Sequence, residues 1–290
     1  MNLYIKKISL IKALKAFLEK NDFTEVITPT LRRDGGKIIE RVPLKDEYFL
    51  RDSHELQLRA LLSCYPCVYE IGSCFRNEDT NKKSTNLFEF LLMELFSSKH
   101  NLSDLMSLTK NFLLEQRPDI DFVEISVAES IRADTGINLF REPQENLYAF
   151  LRCKYGNSKF DYDFKYVEHY IDTELVPLSR GKVVFFTQYP ECLCSYANIL
   201  EGNVTSRFEL FANGIELANA FDDECCVDRF IQRNKDLPLF EREEKFIVKM
   251  LKEGKLPAHS AGIGIGIERL CMFLCNGEEI TDFSFPFDSF

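Results

Sequence analysis

The chain has 290 residues, of which 45% are hydrophobic, and its 36 basic and 46 acidic residues give a net charge of −10. This length supports one large or two small domains with a real core, and the negative charge argues against broad binding to a nucleic-acid backbone. No run of about 18 apolar residues occurs and the N-terminus has the pattern of an amphipathic helix, so we predict a cytoplasmic protein that does not engage a membrane.

The first half of the chain mixes helical and strand patterns. Apolar residues at helical spacing from Ile5 to Leu18 predict a helix, followed by the short extended stretch TEVITPT. DEYFL is typical of a strand, and SHELQLRALL is typical of a short helix capped by Ser53. CVYEIGSCFRNE and FEFLLMELF are predicted strands joined by the polar loop DTNKKSTN.

The second half is predicted to be helical from Ser103 to Thr135, around the strand FVEISV, and mostly helical over 145–177. VVFFTQYP predicts a buried strand, RFELFANGIELANAF a hairpin, and AGIGIGIERLCMFLCNG a strand that enters a helix ending at Gly277. Strands joined by hairpins and long excursions indicate an α+β fold. We therefore predict one domain over residues 1–290, with a six- to seven-stranded, mainly antiparallel sheet flanked by helices.

The hairpin carries two glutamates around an Asn213-Gly214 turn, the strongest two-residue hairpin signal. Regular pairing would set Glu209 opposite Ala218, on the same face as Glu216 and diagonal to it, with the two Cα atoms roughly 7–8 Å apart. Carboxylates at that separation repel unless a cation lies between them, and Mg²⁺ is the cation that prefers oxygen ligands. A solvated hairpin face explains the same pattern.

Two further stretches combine glycine or strand-end positions with arginine. Alternate glycines in GIGIGIER, Gly262 to Arg269, leave one strand face without side chains, so that a ligand can lie against the backbone. Close packing of a buried strand explains the alternation as well. Arg76 in FRNE ends a predicted strand, where it is either a ligand contact or an ordinary solvated or ion-paired arginine.

In their order and spacing these stretches resemble the catalytic core of a class II aminoacyl-tRNA synthetase, specifically of the lysyl-tRNA synthetase subgroup. EKNDFTEVITPTL is similar to motif one, VYEIGSCFRNE with EFLLMELF to motif two, and AGIGIGIERL to motif three. RFELFANGIELANAF is similar almost residue for residue to the lysyl subgroup. The resemblance covers nearly the whole chain and implies a class II catalytic domain that forms a homodimer through motif one.

The resemblance also implies an enzyme that uses ATP and Mg²⁺ to form an aminoacyl-adenylate. Its ATP contacts would be Arg76, Glu78, Phe90, Glu209 and Arg269. Arg76 would bind the α-phosphate, Phe90 would stack on adenine and Arg269 would bind the far end of ATP, while Glu209 and Glu216 would hold Mg²⁺. Arg76 and Arg269 are the expected catalytic residues, because arginine and Mg²⁺ both stabilise the charge that develops around a reacting phosphate.

The amino-acid substrate is assigned by the same resemblance to Glu55, Glu94, Phe96, Asn219, Phe221 and Asp223. Phe96 stands where the family has a tyrosine, and Asp223 where it has a glutamate. Loss of a hydroxyl partner costs on the order of 1 kcal/mol, and a shorter carboxylate changes which substrate length can be paired. We therefore predict that free L-lysine is activated poorly and that the substrate is another lysine-like amino acid or a different one.

One feature of this assignment needs irregular backbone. Asn219 and Phe221 have the opposite strand parity from Glu216, so a regular strand would turn them to the other face of the sheet. All three reach one site only if a bulge interrupts the strand near Leu217–Ala218.

The acceptor of the aminoacyl group is predicted by comparing this chain with other members of the family that it resembles. The chain begins at the motif-one helix, so we expect the anticodon-binding domain of the lysyl enzymes to be absent. Cores of this kind resemble the paralogues that ligate a lysine-type amino acid to a lysine of translation elongation factor P. We therefore predict an acidic protein acceptor rather than a full tRNA, docked on a basic patch. The residues of that patch would be Arg32, Arg33, Lys37, Arg41 and Lys45.

Two other functions are open at this stage. The first is an amino-acid-activating enzyme of small-molecule or natural-product biosynthesis. The second is a catalytically silent paralogue that acts as a regulatory or binding subunit. The presence of Arg76, Glu209, Glu216 and Arg269 argues against the silent paralogue, because a cluster of charges is costly to maintain without a ligand.

Overall fold

Packing divides the chain into two units, which are Met1–Pro118 with Cys225–Phe290 (unit 1) and Asp119–Glu224 (unit 2). The structure is a computed structural model that describes residues 3–33, 41–46, 48–77, 85–234 and 242–283. Two predicted functional residues, Lys37 of the basic patch and Glu78 of the ATP site, lie outside the described residues.

The elements of the described residues follow the predicted order. The α-helices are α1 (Leu3–Lys20), α2 (Glu55–Leu61), α3 (Leu102–Gln116), α4 (Val127–Thr135), α5 (Gln144–Tyr155), α6 (Asp163–Tyr170), α7 (Val227–Asn234), α8 (Arg242–Lys252) and α9 (Ile267–Cys275). The strands are β1 (Thr24–Glu25), β2 (Leu31–Arg33), β3 (Val42–Pro43), β4 (Tyr48–Leu50), β5 (Cys67–Phe75), β6 (Glu89–Ser97), β7 (Phe122–Ser126), β8 (Val183–Thr187), β9 (Ile199–Glu201), β10 (Val204–Thr205), β11 (Arg207–Ala212), β12 (Ile215–Asp222) and β13 (Ala261–Gly266).

Unit 1 is built on the strand order β1-β5-β6-β13. β1 runs parallel to β5, whereas the β5–β6 and β6–β13 pairs are antiparallel. Helix α1 buries Leu14, Phe17 and Leu18 of the predicted apolar stripe and also Leu10. Ile5 and Ile8, at the start of that stripe, are exposed. A small sheet, β2-β4-β3, completes the strands of this unit.

Unit 2 is built on the strand order β7-β8-β11-β12. β7 runs parallel to β8, and the β8–β11 and β11–β12 pairs are antiparallel. Helices α4, α5 and α6 pack their apolar residues into one core with this sheet, in which Val127, Leu147, Tyr166, Val184 and Phe186 are fully or almost fully buried. The short pair β9–β10 lies outside the four-stranded sheet.

The predicted fold class is confirmed, because both units combine a mainly antiparallel sheet with flanking helices. The strand number differs, with four of these strands in each unit and eight in the described residues, where six to seven were predicted. Two helix ends differ from the prediction. His54, and not Ser53, is the N-cap residue of α2, although the Ser53 hydroxyl accepts a hydrogen bond from the Glu55 N–H at 3.0 Å. Helix α9 ends at Cys275 because Asn276 takes the left-handed conformation, with φ of 50°.

None of the helices in the described segments combines the length and the apolar character that crossing a lipid bilayer requires.

Candidate active site

The turn of the β11–β12 hairpin has the conformation that its sequence predicts. Asn213 and Gly214 have φ of 52° and 81°, the positive values that a two-residue turn of this type needs. The Asn213 N–H donates to the Ser179 carbonyl at 3.0 Å and the Gly214 N–H to the Ser179 hydroxyl at 2.9 Å. Next to the turn, Phe211 pairs with Glu216 as predicted.

Beyond Phe211 the register shifts by one residue. Leu210 pairs with Ala218, so Leu217 is an extra residue in β12, and Glu209 pairs with Asn219. The predicted pairing of Glu209 with Ala218 is therefore wrong, and the bulge that the family resemblance required near Leu217–Ala218 is present. Because of this extra residue, the side chains of Glu216, Asn219 and Glu209 all lie on one face of the hairpin.

The Glu209 carboxylate is held by two residues that the sequence analysis did not single out. One Arg207 Nη2–H donates to Glu209 Oε1, and the Tyr189 hydroxyl donates to Glu209 Oε2 at 2.7 Å. Arg207 Nε–H also donates to Asn219 Oδ1 at 3.1 Å, so one guanidinium fixes both Glu209 and Asn219. The i, i+2 spacing of Arg207 and Glu209 on a strand is the signal that could have indicated this pair.

The electrostatics of this face favour an added cation. Burial and the neighbouring Glu216 carboxylate raise the pKa of Glu209 to about 7, although Arg207 and Tyr189 both act to lower it. Burial on its own would lower the pKa of Arg207, but Glu209 and the other acidic groups around it together outweigh burial and raise that pKa. Excess negative charge on a face with two carboxylates is the condition that a divalent cation relieves.

The donor set fits a cation that is shared with a ligand. No group of three or more His, Cys, Asp or Glu side chains is arranged to bind a metal ion in the described residues. Two glutamates supply only part of the oxygen ligands that Mg²⁺ requires, and Mg²⁺ commonly takes the others from phosphates and water. The pair Glu209 and Glu216 therefore fits a metal–phosphate complex better than a metal held by the protein alone.

Two other members of the predicted amino-acid set lie at the end of β12 in unit 2. Phe221 is 7% exposed, and Asp223 is 3% exposed and forms an isolated backbone bridge with Ala197. Phe221 lies two residues after Asn219 and pairs with Arg207, so the bulge places both on the same face as Glu216.

In unit 1, Arg76 and Phe90 lie together at the end of the β5–β6 pair. The Arg76 N–H donates to the Phe88 carbonyl at 3.0 Å, and the guanidinium carbon lies 5.2 Å from the centroid of the Phe90 ring. Both side chains are partly exposed. An arginine beside an accessible aromatic face suits a ligand that carries both a phosphate and a planar base.

Arg269 lies in the first turn of α9, directly after β13, whose alternate glycines give it the name glycine strand used below. Its Nε–H donates to the Thr85 carbonyl at 3.1 Å and its Nη2–H to Asn86 Oδ1 at 2.7 Å. Arg269 therefore holds the chain where it returns from the segment 78–84 between β5 and β6. The predicted ATP residue Glu78 belongs to that segment, outside the described residues.

One face of the glycine strand is more crowded by neighbouring side chains than its sequence predicts. A Cβ atom on Gly262 would lie 2.4 Å from the Phe96 ring, so the lack of a side chain at Gly262 leaves room for Phe96. Phe96 is 2% exposed and packs with Leu58 and Val68. Only the part of the strand from Gly264 to Gly266 keeps an uncrowded face, because the nearest neighbours of a Cβ there would be 3.4 Å or more away.

Glu94 and Glu55 of the predicted amino-acid set lie next to this uncrowded part of unit 1 and at the start of α2. Burial on its own would raise the pKa of Glu94, but hydrogen bonds from His54 and Ser53 outweigh it and lower that pKa. Glu94 is therefore an anion at neutral pH. Glu55 is partly buried in the first turn of α2.

Two residues of the predicted basic patch form ion pairs within unit 1 and do not contribute to a docking surface. Arg32 is 6% exposed and is bound to Glu243 at 2.8 Å and to the carbonyls of Pro29 and Ser53. Arg41 pairs with Asp52 at 3.2 Å. These internal contacts remove both side chains from a docking surface, because the acids of the same unit already neutralise them. Of the predicted patch, Arg33 and Lys45 are exposed.

Comparison with known proteins supports the family resemblance that the sequence motifs indicate. The family model described as tRNA synthetases class II (D, K and N) matches residues 1–288. A lysine–tRNA ligase from Mycoplasma genitalium is 28% identical over 324 residues, which cover 98% of this chain and 64% of the relative. A lysine–tRNA ligase from Buchnera aphidicola subsp. Schizaphis graminum is 28% identical, with 97% of this chain and 62% of the relative covered. The chain thus spans slightly less than two thirds of the length of these relatives.

Proposed function

The chain belongs to the class II tRNA synthetases (D, K and N), and from this premise we propose that it activates an amino acid with ATP. In the proposed reaction a carboxylate oxygen of the amino acid attacks the α-phosphorus of ATP. The new bond joins that oxygen to phosphorus, the bond from the α-phosphorus to the bridging oxygen breaks, and pyrophosphate leaves with the bond electrons. The product is an aminoacyl-adenylate.

The residues of unit 1 supply the positive charge for this step. Arg76 binds the α-phosphate and Phe90 stacks on adenine, a pairing supported by the 5.2 Å distance between the guanidinium and the ring. Arg269 binds the far end of ATP. Two anions approach each other in the reaction, so fixed cations stabilise the transition state more than the separated reactants. The attacking carboxylate is already ionised at neutral pH, and no side chain needs to act as a general base.

In unit 2, Glu209 and Glu216 would hold Mg²⁺, with phosphate and water supplying its other oxygen ligands. The observation that carries this proposal is the bulge at Leu217, which brings Glu209, Glu216 and Asn219 onto one face. When bound, the cation neutralises phosphate charge and favours the departure of pyrophosphate. Arg207 orients Glu209 and Asn219 through hydrogen bonds to both.

The amino acid that the enzyme activates is a lysine-like amino acid other than free L-lysine. Glu94 and Glu55 bind its amino group, and Asp223 pairs with the distal end of its side chain. Support comes from the lowered pKa of Glu94, which keeps a carboxylate ionised, and from the apolar surroundings of Phe96, which offer no hydroxyl to a substrate ammonium.

For the second half of the reaction we favour transfer of the aminoacyl group to a lysine of an acidic protein such as elongation factor P. The net charge of −10 supports an acceptor that is not a long nucleic acid. Within the described part of the predicted patch, Arg33 and Lys45 are exposed on the surface where such a protein would dock. A tRNA acceptor is the second candidate, and the names of the relatives favour it, since they are lysine–tRNA ligases.

Assembly as a homodimer belongs to this proposal as well. Large apolar side chains of unit 1 are exposed on α1 and in the segments that follow it: Ile5, Ile8, Ile27, Leu31 and Leu44. Ile27 alone is 91% exposed. A second copy of the chain that packs against α1 and these segments would cover the exposed side chains.

The experiment that tests the proposed function has two stages. The first screens the standard amino acids and lysine analogues for Mg²⁺-dependent exchange of pyrophosphate into ATP. The second incubates the enzyme with ATP and the best amino acid, together with elongation factor P or total tRNA, and measures the mass of each acceptor. A mass gain on the protein supports our assignment, and charging of tRNA alone supports the second candidate. Exchange without either acceptor indicates a small-molecule enzyme, and absence of exchange indicates a silent paralogue.

A further inference from the structure

His54 is a fully buried histidine that the proposed reaction does not use. It is the N-cap residue of α2, it is 0% exposed, and its side chain makes no capping hydrogen bond. Its ring instead faces β5 and β6, where two carboxylates lie close to it. A buried polar side chain that does not cap its helix needs another reason for its position.

The two carboxylates are directly opposite each other. Glu70 on β5 pairs with Glu94 on β6, and they are 3% and 8% exposed. Like charges in such a cross-strand pair are destabilising. The His54 ring lies between them, with Nδ1 3.2 Å from Glu94 Oε2 and Nε2 3.5 Å from Glu70 Oε1.

Glu70 is the fixed side of this arrangement. Its Oε1 accepts a hydrogen bond from Arg51 Nη1–H at 2.6 Å, and its Oε2 accepts from the Thr28 N–H at 2.9 Å and the Thr28 hydroxyl at 2.7 Å. Gly72 makes room for this network, because a Cβ atom there would lie 2.3 Å from Arg51 Nη2. The His54 ring therefore packs between Glu94 and a Glu70 carboxylate that Arg51 and Thr28 already hold in place.

Glu94 is the side that faces the uncrowded glycine strand. Its Oε2 accepts from the His54 N–H at 2.5 Å as well as lying next to Nδ1. Its Oε1 accepts from the Ser53 hydroxyl at 2.8 Å and would lie 3.4 Å from a Cβ atom on Gly264. His54 thus occupies one carboxylate oxygen completely, while the other oxygen, beside bare backbone, has capacity for a further donor.

We propose that His54 is a positioning residue of the amino-acid site, which fixes the Glu94 carboxylate through Nδ1–H so that Oε1 binds the ammonium group of the substrate. This inference rests on the proposed function, because it assumes that Glu94 contacts the amino acid. Without the Nδ1 hydrogen bond the carboxylate would rotate, and the substrate would have to order it on binding.

Two amide variants separate the roles of the ring nitrogens. The side-chain nitrogen of asparagine can occupy the position of Nδ1, and that of glutamine the position of Nε2. We expect His54→Asn to keep KM for the amino acid within about threefold of wild type in pyrophosphate exchange. We expect His54→Gln to raise that KM about 10-fold or more, since the hydrogen bond that this variant loses goes to a charged group. KM for ATP should stay unchanged in both variants.

Cys74→Ala is the matched control, because Cys74 Sγ lies 3.8–3.9 Å from both ring nitrogens but does not contact the hydrogen bonds to Glu94. Its amino-acid KM should match wild type. If His54→Gln does not fold, His54→Ala replaces it with the same expected rise in KM. Equal amino-acid KM in the asparagine and glutamine variants of an active enzyme overturns the inference alone. A wild type that exchanges no pyrophosphate overturns the proposed function and the inference with it.

Discussion

Glu209 lies directly opposite Asn219 in the β11–β12 hairpin, one residue out of the register that the Asn213-Gly214 turn starts. The single extra residue, Leu217, produces this pairing. Arg207 holds Glu209 and Asn219 together, because its guanidinium donates a hydrogen bond to each side chain. A local irregularity of the backbone therefore decides which side chains share the candidate metal face.

Insertion of one alanine between Leu210 and Phe211 tests this consequence of the bulge. The added residue would pair with Leu217, so the hairpin would be regular, and Glu209 and Asn219 would then face away from Glu216. We expect pyrophosphate exchange to fall by about 100-fold or more, the scale of one preorganised active-site contact. The control is Leu217→Met, which keeps the bulge and the buried volume. Full activity of a folded insertion variant would contradict the role given to the bulge.

Replacement of Arg207 by lysine tests the guanidinium as an organiser of unit 2. Lysine keeps the charge but cannot donate to Glu209, Asn219 and the Leu193 carbonyl at once. We expect the Mg²⁺ concentration for half-maximal exchange to rise about 10-fold, because Glu209 loses its fixed orientation. The control is Arg132→Lys, on an exposed pair with Glu129 in the same unit. Equal Mg²⁺ dependence of both variants would rule out this role.

The buried pair of Lys7 and Glu268 predicts a pH-dependent loss of stability. Lys7 Nζ lies 3.2 Å from Glu268 Oε1, with side-chain exposures of 9% and 5%. Burial raises the pKa of Glu268 and Lys7 opposes this rise. Lys7→Met removes the opposing charge, so it should lower the free energy of unfolding by about 3–5 kcal/mol at pH 8.

The sign of the pH effect follows from Glu268. In the Lys7→Met variant its pKa rises further above that of the unfolded chain, so the folded state binds a proton as the pH falls towards that value. The loss of stability should therefore be smaller at pH 5 than at pH 8 in urea unfolding. Lys15→Met is the control, since Lys15 pairs with Glu25 at the surface and its loss should cost no more than about 1 kcal/mol. A loss that does not change with pH would contradict the prediction.

Substrate preference is expected to shift in the double variant Phe96→Tyr with Asp223→Glu. These substitutions restore the family residues of the lysyl subgroup, and kcat/KM for L-lysine should rise relative to the preferred amino acid. Phe96 is packed against Gly262, so the added hydroxyl should also cost about 1–3 kcal/mol of stability. Efficient activation of L-lysine by the unmodified enzyme would show that the pocket argument is wrong.

The elements set by local chemistry could be predicted from the sequence. The hairpin turn follows from Asn213 and Gly214, which tolerate positive φ, and helix α1 follows from its apolar spacing. Family motifs indicated Arg76 directly after β5, Arg269 on α9, and Glu209 and Glu216 on the hairpin.

The parts that depend on distant contacts could not be predicted in this way. Arg32 was expected on a docking surface, but it pairs with Glu243, 211 residues away in sequence. The position of His54 between two carboxylates has no local sequence signal, because the opposition of Glu70 and Glu94 depends on the register of two strands. The bulge at Leu217 was required by the resemblance but has no local sequence signal, since neither glycine nor proline marks it.

The most direct test of the central claim is pyrophosphate exchange into ATP by Arg76→Ala and Arg269→Ala, with Lys249→Ala as an exposed control in the same unit. We predict that the wild type and the control exchange pyrophosphate with at least one amino acid in a Mg²⁺-dependent reaction. Each arginine variant should lose about 100-fold or more in rate while it remains folded. Exchange at wild-type rates in both arginine variants, or no exchange by the wild type with any amino acid, would contradict the account.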